Sequence, residues 1–376
     1  MSRAHSSLPP SAAKMWIVCN PSAKKNAEAP EQTSSYAQEG TDTHTVCEEG
    51  LKRSLGIETK DSRENLEYYD QEMQDHADEY VAFVNEILSR MEAPYVMIEQ
   101  RLDLSEYAPG CFGTGDCVAI GGHELQIVDF KYGKGIPVSA GSDEKGLNPQ
   151  LACYALGAVS AFDMLYDIET VSMSIFQPRL NIAETYTVTK DALVSWGKNV
   201  LSPAATRAIK GEGEFVAGDH CTFCKFKAQC RKRAEYNLEL AKYDFEKPEN
   251  LDDSEIEEIL GRVDDLVTWA SDIKAFALSE ALSGKVWTDY KLVEGRSVRK
   301  YTNESMVVQA VKNAGYDPYE KVVLGITAMT RMLGKKKFNE LLGDLVEKPA
   351  GRPTLAPLSD KRPAVRIAAT DDFKEE

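Results

Sequence analysis

Residues 113–135, GTGDCVAIGGHELQIVDFKYGKG, carry Asp116, Asp129 and Lys131. Asp129 and Lys131 are two apart on a predicted strand, so both point to one face, about 7 Å apart along it. With Gly121-Gly122 as a two-residue hairpin loop, Ile120 pairs with His123 and Asp116 with Ile127. Asp116 then lies diagonal to Asp129, on the face that carries Lys131. Two carboxylates so placed can hold Mg²⁺ or Mn²⁺ between them, since hard cations want oxygen ligands. The matching chemistry is phosphodiester hydrolysis, in which a bound metal activates water and neutralises charge developing on the phosphate. Lys131 can orient or help deprotonate that water and stabilise the transition state. Without a cation, a buried acidic pair is expensive, because like charges repel and lose hydration together. A D-x-K pattern alone also occurs on ordinary polar strands, so its meaning depends on the elements around it.

A second constellation is HCTFCKFKAQCRKR, which holds Cys221, Cys224 and Cys230. So tight a run of thiols points to a metal rather than to core packing or disulfides. From spacing alone the fourth ligand can be His220, giving a zinc site, or a distant cysteine. Of the 8 cysteines, Cys47, Cys111, Cys117 and Cys153 sit in apolar or helical contexts and read as small core residues.

The positioning elements follow from periodicity. Residues 34–52 read as a helix carrying His44. Residues 61–90 read as a second, with Leu66, Tyr69, Met73, Tyr80, Phe83, Val84 and Ile87 at helical spacing. Three extended segments follow, YVMIEQRLDL, GTGDCVAI and HELQIVDFKY, broken at Pro109-Gly110 and Gly121-Gly122. Asn148-Pro149 opens a helix with a capping residue and a first-turn proline. Strands at 168–176 and 183–188 and a helix near 189–209 complete a mixed α/β domain. Beyond the cysteines the chain turns acidic and helical, with an amphipathic stretch over 253–282, a short extended piece and short helices. The tail GRPTLAPLSDKRPAVR reads as extended or disordered. The expected division is 1–245, 246–350 and 351–376.

At 376 residues the chain suits two domains. A net charge of −16 argues against a generally basic surface, though a local basic groove can still carry nucleic acid. Basic clusters occur at Lys225 to Arg233, Arg296 to Lys300, Lys335 to Lys337 and Lys361 to Arg366; singly, each reads as a solvated face. No secretory pattern, long apolar run or GxxxxGK[ST] loop is present, so the reading is a cytoplasmic protein with no membrane segment and no ATPase motor.

The order of motifs resembles the RecB-like branch of the PD-(D/E)XK nuclease superfamily. That pattern has a GxxxH helix, a G-x-x-D strand, a D-x-K strand and a Q-x-x-x-Y helix. Gly40 and His44, Gly113 and Asp116, Asp129 and Lys131, and Gln150 and Tyr154 match it in turn. The resemblance implies a PD-(D/E)XK nuclease core, a mixed sheet flanked by helices, with a mainly helical C-terminal region after it. It implies His44, Asp116 and Asp129 as ligands of Mg²⁺ or Mn²⁺, Lys131 as catalytic lysine, and Gln150 and Tyr154 as positioning groups. Glu99, on the preceding strand, is a further possible carboxylate, with Asp103 on the same strand as its competitor. Iron–sulfur members pair one N-terminal cysteine with three after the core, which implies Cys19, Cys221, Cys224 and Cys230 around a [4Fe–4S] cluster, closing a loop of about 200 residues. The last third is similar to nuclease-like proteins of phages and prophages. The implied activity is a metal-dependent DNA nuclease, an exonuclease of recombination or replication in a bacterial host, with a single-strand annealing or binding protein as a partner. A non-catalytic DNA-binding module held by an iron–sulfur or zinc site, and an interaction protein without DNA affinity, are the competing classes.

Overall fold

A computed structural model describes residues 6–29, 35–133, 135–241, 251–294, 299, 301–320, 322–347, 356, 360 and 363. Two short helices, α1 (Ala13–Val18) and α2 (Ser22–Glu28), lead into α3 (Ser35–Ser54) and α4 (Gln71–Arg90). α4 starts well after the expected residue 61. Asp70 caps it by accepting from the Met73 N–H at 2.8 Å, as a helix N-terminus requires. Ahead of that cap, carboxylates of α3 take the loop's backbone donors: Ser62 N–H bonds Glu49 and Tyr68 N–H bonds Asp42. Leu66 and Tyr69 therefore pack from a loop, not from a helix.

The sheet holds β1 (Tyr95–Asp103), β2 (Phe112–Gly121), β3 (Glu124–Phe130), β6 (Thr170–Gln177) and β7 (Ile182–Thr189), in the order β1-β2-β3-β6-β7. A two-residue ladder, β4 (Gly141–Ser142) with β5 (Gly146–Leu147), lies in the connection after β3. β3 and β6 are parallel and the other neighbours antiparallel. A parallel pair needs a crossover, and α5 (Pro149–Tyr166) supplies it. Its cap is as expected: Asn148 Oδ1 accepts from Gln150 and Leu151, with proline at the first turn. α6 (Lys190–Trp196) and α7 (Ser202–Lys210) follow as one helical stretch joined by a π-turn, then α8 (Arg231–Leu238).

The β2–β3 hairpin differs from the expected register. Gly121 pairs with Glu124, so Gly122-His123 forms the loop, with Gly122 at φ 56°. The His123 carbonyl accepts from Glu169 and Thr170, which ties the loop to the start of β6. Cys117 then pairs with Val128, a shift of two positions from the expected register, and the paired ladder ends there, before Asp116.

One core cluster joins the sheet to α1, α5, α6 and α7 through Trp16, Val118, Ile127, Leu151, Leu193 and Ala205. The other joins it to α3 and α4 through Leu51, Tyr80, Val128 and Phe130. Beyond α8 lie α9 (Asp253–Leu260), α10 (Val263–Leu282), α11 (Glu304–Asn313), α12 (Ile326–Leu333) and α13 (Lys335–Leu342). The amphipathic stretch 253–282 is thus two helices. One compact unit comprises Met1–Asp252 with Arg262–Ala277, and a second comprises Asp253–Gly261 with Leu278–Glu376. Asp272 explains why part of α10 joins the first unit: it receives Arg233 at 2.6 Å and Lys227 at 2.8 Å. The expected boundary near 245 therefore falls among residues 242–250, outside those described. The tail from Gly351 also lies almost entirely outside them. No helix among the described residues is long and apolar enough to cross a membrane.

Candidate active site

In a regular strand, residues an odd number of positions apart face opposite sides. Met97 and Leu102 on β1 break this rule, since both enter the cluster under α5. The break is at Glu99, a non-glycine residue at φ 51°. Across the ladder β2 reverses as well. Val118 faces α5, and a Cβ added at Gly113 would meet Tyr154 of α5 at 2.7 Å and Pro10 at 2.8 Å. Between them, Ile98 pairs with Cys117 and Gln100 with Gly115, while Glu99 and Asp116 make no ladder pair. Asp116 is thereby freed from the alternation that would have turned it toward α5.

Its carboxylate instead bridges two elements. Oδ1 lies 3.4 Å from His44 Nδ1 on α3, and Oδ2 accepts from the Phe130 N–H at 2.7 Å. One donor atom each from His44, Glu99 and Asp116 lie within 4.8 Å of one another. These three line a small cavity with Cys47, Tyr80 and Phe130. Oxygen and imidazole ligands at that spacing suit a divalent cation. Asp103 is not among these donors, its carboxylate being turned to the Ser105 hydroxyl at 2.6 Å.

Asp129, buried on the opposite side of the break, is held by α5. Its Oδ1 accepts from Gln150 Nε2 at 3.0 Å, and its Oδ2 pairs with Lys131 Nζ at 2.9 Å. Gln150 also accepts from Lys131 Nζ at 2.9 Å and reaches the Tyr154 hydroxyl at 3.1 Å. Gln150 and Tyr154 stand one helical turn apart, so both address the same strand end. All the sequence-predicted residues His44, Asp116, Asp129, Lys131, Gln150 and Tyr154 converge here. The face assignment of Asp116 is the part that changed.

The electrostatics follow from burial and pairing. Burial opposes charge on His44, yet Asp116 and then Asp129 override it and raise the imidazole to about 9. Burial, reinforced by Asp116, pushes Glu99 up to about 7. Burial likewise raises Asp129. The Lys131 ammonium is opposed by burial but held above the ordinary lysine range by Asp129. Lys131 and a protonated His44 thus offset three crowded carboxylates when no metal ion is bound.

The thiols converge separately. Cys19 follows α1, and Cys221, Cys224 and Cys230 follow a 3-10 turn at Asp219–Phe223 and the loop after it. All four line one cavity with Met15, Val216 and His220. Asn26 of α2 locks this join, donating to Cys224 Sγ at 3.4 Å and accepting from Lys225 N–H at 2.7 Å. His220 Nε2 lies 2.9 Å from the Val216 carbonyl, and the ring hydrogen-bonds the Cys19 side chain. Among the described residues, no three of these sulfur and imidazole donors fall within 4.8 Å of one another. Cys47, Cys111, Cys117 and Cys153 are buried in the two cores, as expected.

Among solved structures, the chain is similar to one described as "Crystal structure of SSO0001", at 12% identity over 52% of this chain and 98% of that one, with a TM-score of 0.21. The match to a family model is far more extensive. It runs over residues 5–363 and its family is described as "Protein of unknown function (DUF2800)", and the chain belongs to that family.

Proposed function

We propose that the protein is a metal-dependent DNA nuclease of the RecB-like, PD-(D/E)XK kind, an exonuclease that hydrolyses phosphodiester bonds. The observation that carries this reading is the meeting of His44, Glu99 and Asp116 within 4.8 Å beside the Asp129–Lys131–Gln150 network. His44, Glu99, Asp116 and Asp129 would hold Mg²⁺ or Mn²⁺. When bound, the ion supplies Lewis-acid activation of water and charge neutralisation at the scissile phosphate. Lys131, kept as an ammonium by Asp129, stabilises negative charge developing on the phosphate oxygens. Gln150 orients both Asp129 and Lys131 and is itself steadied by Tyr154. Cys19, Cys221, Cys224 and Cys230 would hold a [4Fe–4S] cluster that staples α1 to the segment after α7. DNA is the substrate, and a single-strand annealing or binding protein is the partner this role calls for.

The test is cleavage of end-labelled linear single- and double-stranded DNA by anaerobically purified protein, with Mg²⁺ or Mn²⁺, beside Lys131→Ala. Metal-dependent cleavage lost in the variant is the expected result, and the label position gives polarity. DNA binding without cleavage in either protein would replace the nuclease by a DNA-binding module.

A further inference from the structure

Pro178–Leu180 form a 3-10 turn after β6, and Arg179 in it contacts α3, which carries His44, together with α4 and Tyr132 just beyond β3. Its Nη2 donates to Glu39 of α3 at 2.7 Å, and its Nε lies 3.7 Å from Glu72 of α4. Its guanidinium carbon sits 3.7 Å from the ring centre of Tyr132, the residue after Lys131. From Tyr132 an aromatic column runs back to the site. Tyr132 stacks on Phe130 at 6.0 Å, and Phe130 meets His44 edge-on at 5.5 Å. The Arg179 side chain is 13% exposed and Glu39 24%, so this contact is held in place where a surface ion pair would fluctuate.

We propose that Arg179 is a positioning residue for the metal site, setting α3, and with it His44, against the strand end that presents Lys131. The inference rests on the reading of this site as a metal centre. α3 is a rigid rod, so a shift of Glu39 moves His44, a little over one turn further on, by a similar amount. Arginine suits the task because its planar fork bonds a carboxylate while its face stacks on an aromatic ring. Lysine keeps the charge but, as a compact ammonium without a planar fork, does not hold both contacts in one fixed geometry. With two carboxylates on its edge and a ring on its face, the guanidinium is committed to the protein rather than offered to DNA.

The test is calorimetric titration of the full chain with Mn²⁺ alone, comparing the parent, Arg179→Lys, Glu39→Gln and the double variant. Groups that orient metal ligands typically contribute 10- to 100-fold to affinity. Arg179→Lys is therefore expected to bind Mn²⁺ about tenfold more weakly, with thermal unfolding in chelator little changed. Glu39→Gln should match it, and the double variant should be no weaker than either, because both remove one connection. Parental affinity in Arg179→Lys, or losses that add in the double variant, would overturn the proposal while leaving the metal reading intact. A parent chain that binds no Mn²⁺ would overturn both. Glu39→Gln keeps the stacking on Tyr132 and so carries the test if Arg179→Lys folds poorly.

Discussion

Replacing Glu99 with glycine should stabilise the metal-free protein and weaken its hold on a divalent ion. Glu99 adopts φ 51° inside a strand, where a non-glycine residue stores about 1–3 kcal/mol. Glycine relieves that strain but gives back about 0.5–1 kcal/mol of chain entropy, leaving a net gain of about 1 kcal/mol. For a unit of this size that is about 2–4 °C in melting temperature. The gain should depend on pH. Burial and Asp116 raise Glu99 from 4.5 to about 7, so the folded protein holds this proton more tightly than the unfolded chain. The favourable contribution of Glu99 is complete below pH 4.5 and lost as pH rises through 7. The substitution should therefore stabilise more at pH 8 than at pH 5. The assay is differential scanning calorimetry in chelator at both pH values, with Mn²⁺ titration of the same samples. A lower melting temperature at pH 8 would refute strain at Glu99, and unchanged Mn²⁺ affinity would refute its role as a ligand.

Gly113→Ala would drive a Cβ to 2.7 Å from Tyr154 and 2.8 Å from Pro10; an overpacking cost of about 1–3 kcal/mol is expected by urea unfolding, with cleavage reduced because Tyr154 steadies Gln150. His44, at about 9 without metal, must lose its proton to ligate. Mn²⁺ affinity should therefore rise with pH up to about 9, with roughly one proton released per ion at pH 8. Calorimetry in buffers of different ionisation enthalpy counts that proton, and a count of zero would exclude His44 as a ligand. Cys221→Ser should give poorly soluble protein lacking visible absorption, and a normally folded, equally active variant would refute the staple.

Short-range chemistry was legible in the residues themselves. Asn148-Pro149 starts a helix because a capping side chain and a proline leave the backbone little alternative. Asp129 and Lys131 meet because strand alternation puts them on one face, and Gln150 and Tyr154 because helical pitch does. Other features lie beyond local rules. The α4 start moved because carboxylates of α3 outcompeted helix formation for the 61–70 backbone. The hairpin shifted because the His123 carbonyl is claimed by β6, an element distant in sequence. Periodicity assumes that a strand alternates throughout, and so could not show the reversal at Glu99 that turns Asp116 toward His44. A glutamate in a left-handed conformation costs energy locally and persists only where surrounding packing over-determines it. The residue types that can bind a metal are thus written in the chain, while the side of the sheet on which they gather was decided by the docking of α3 and α5 on its two faces.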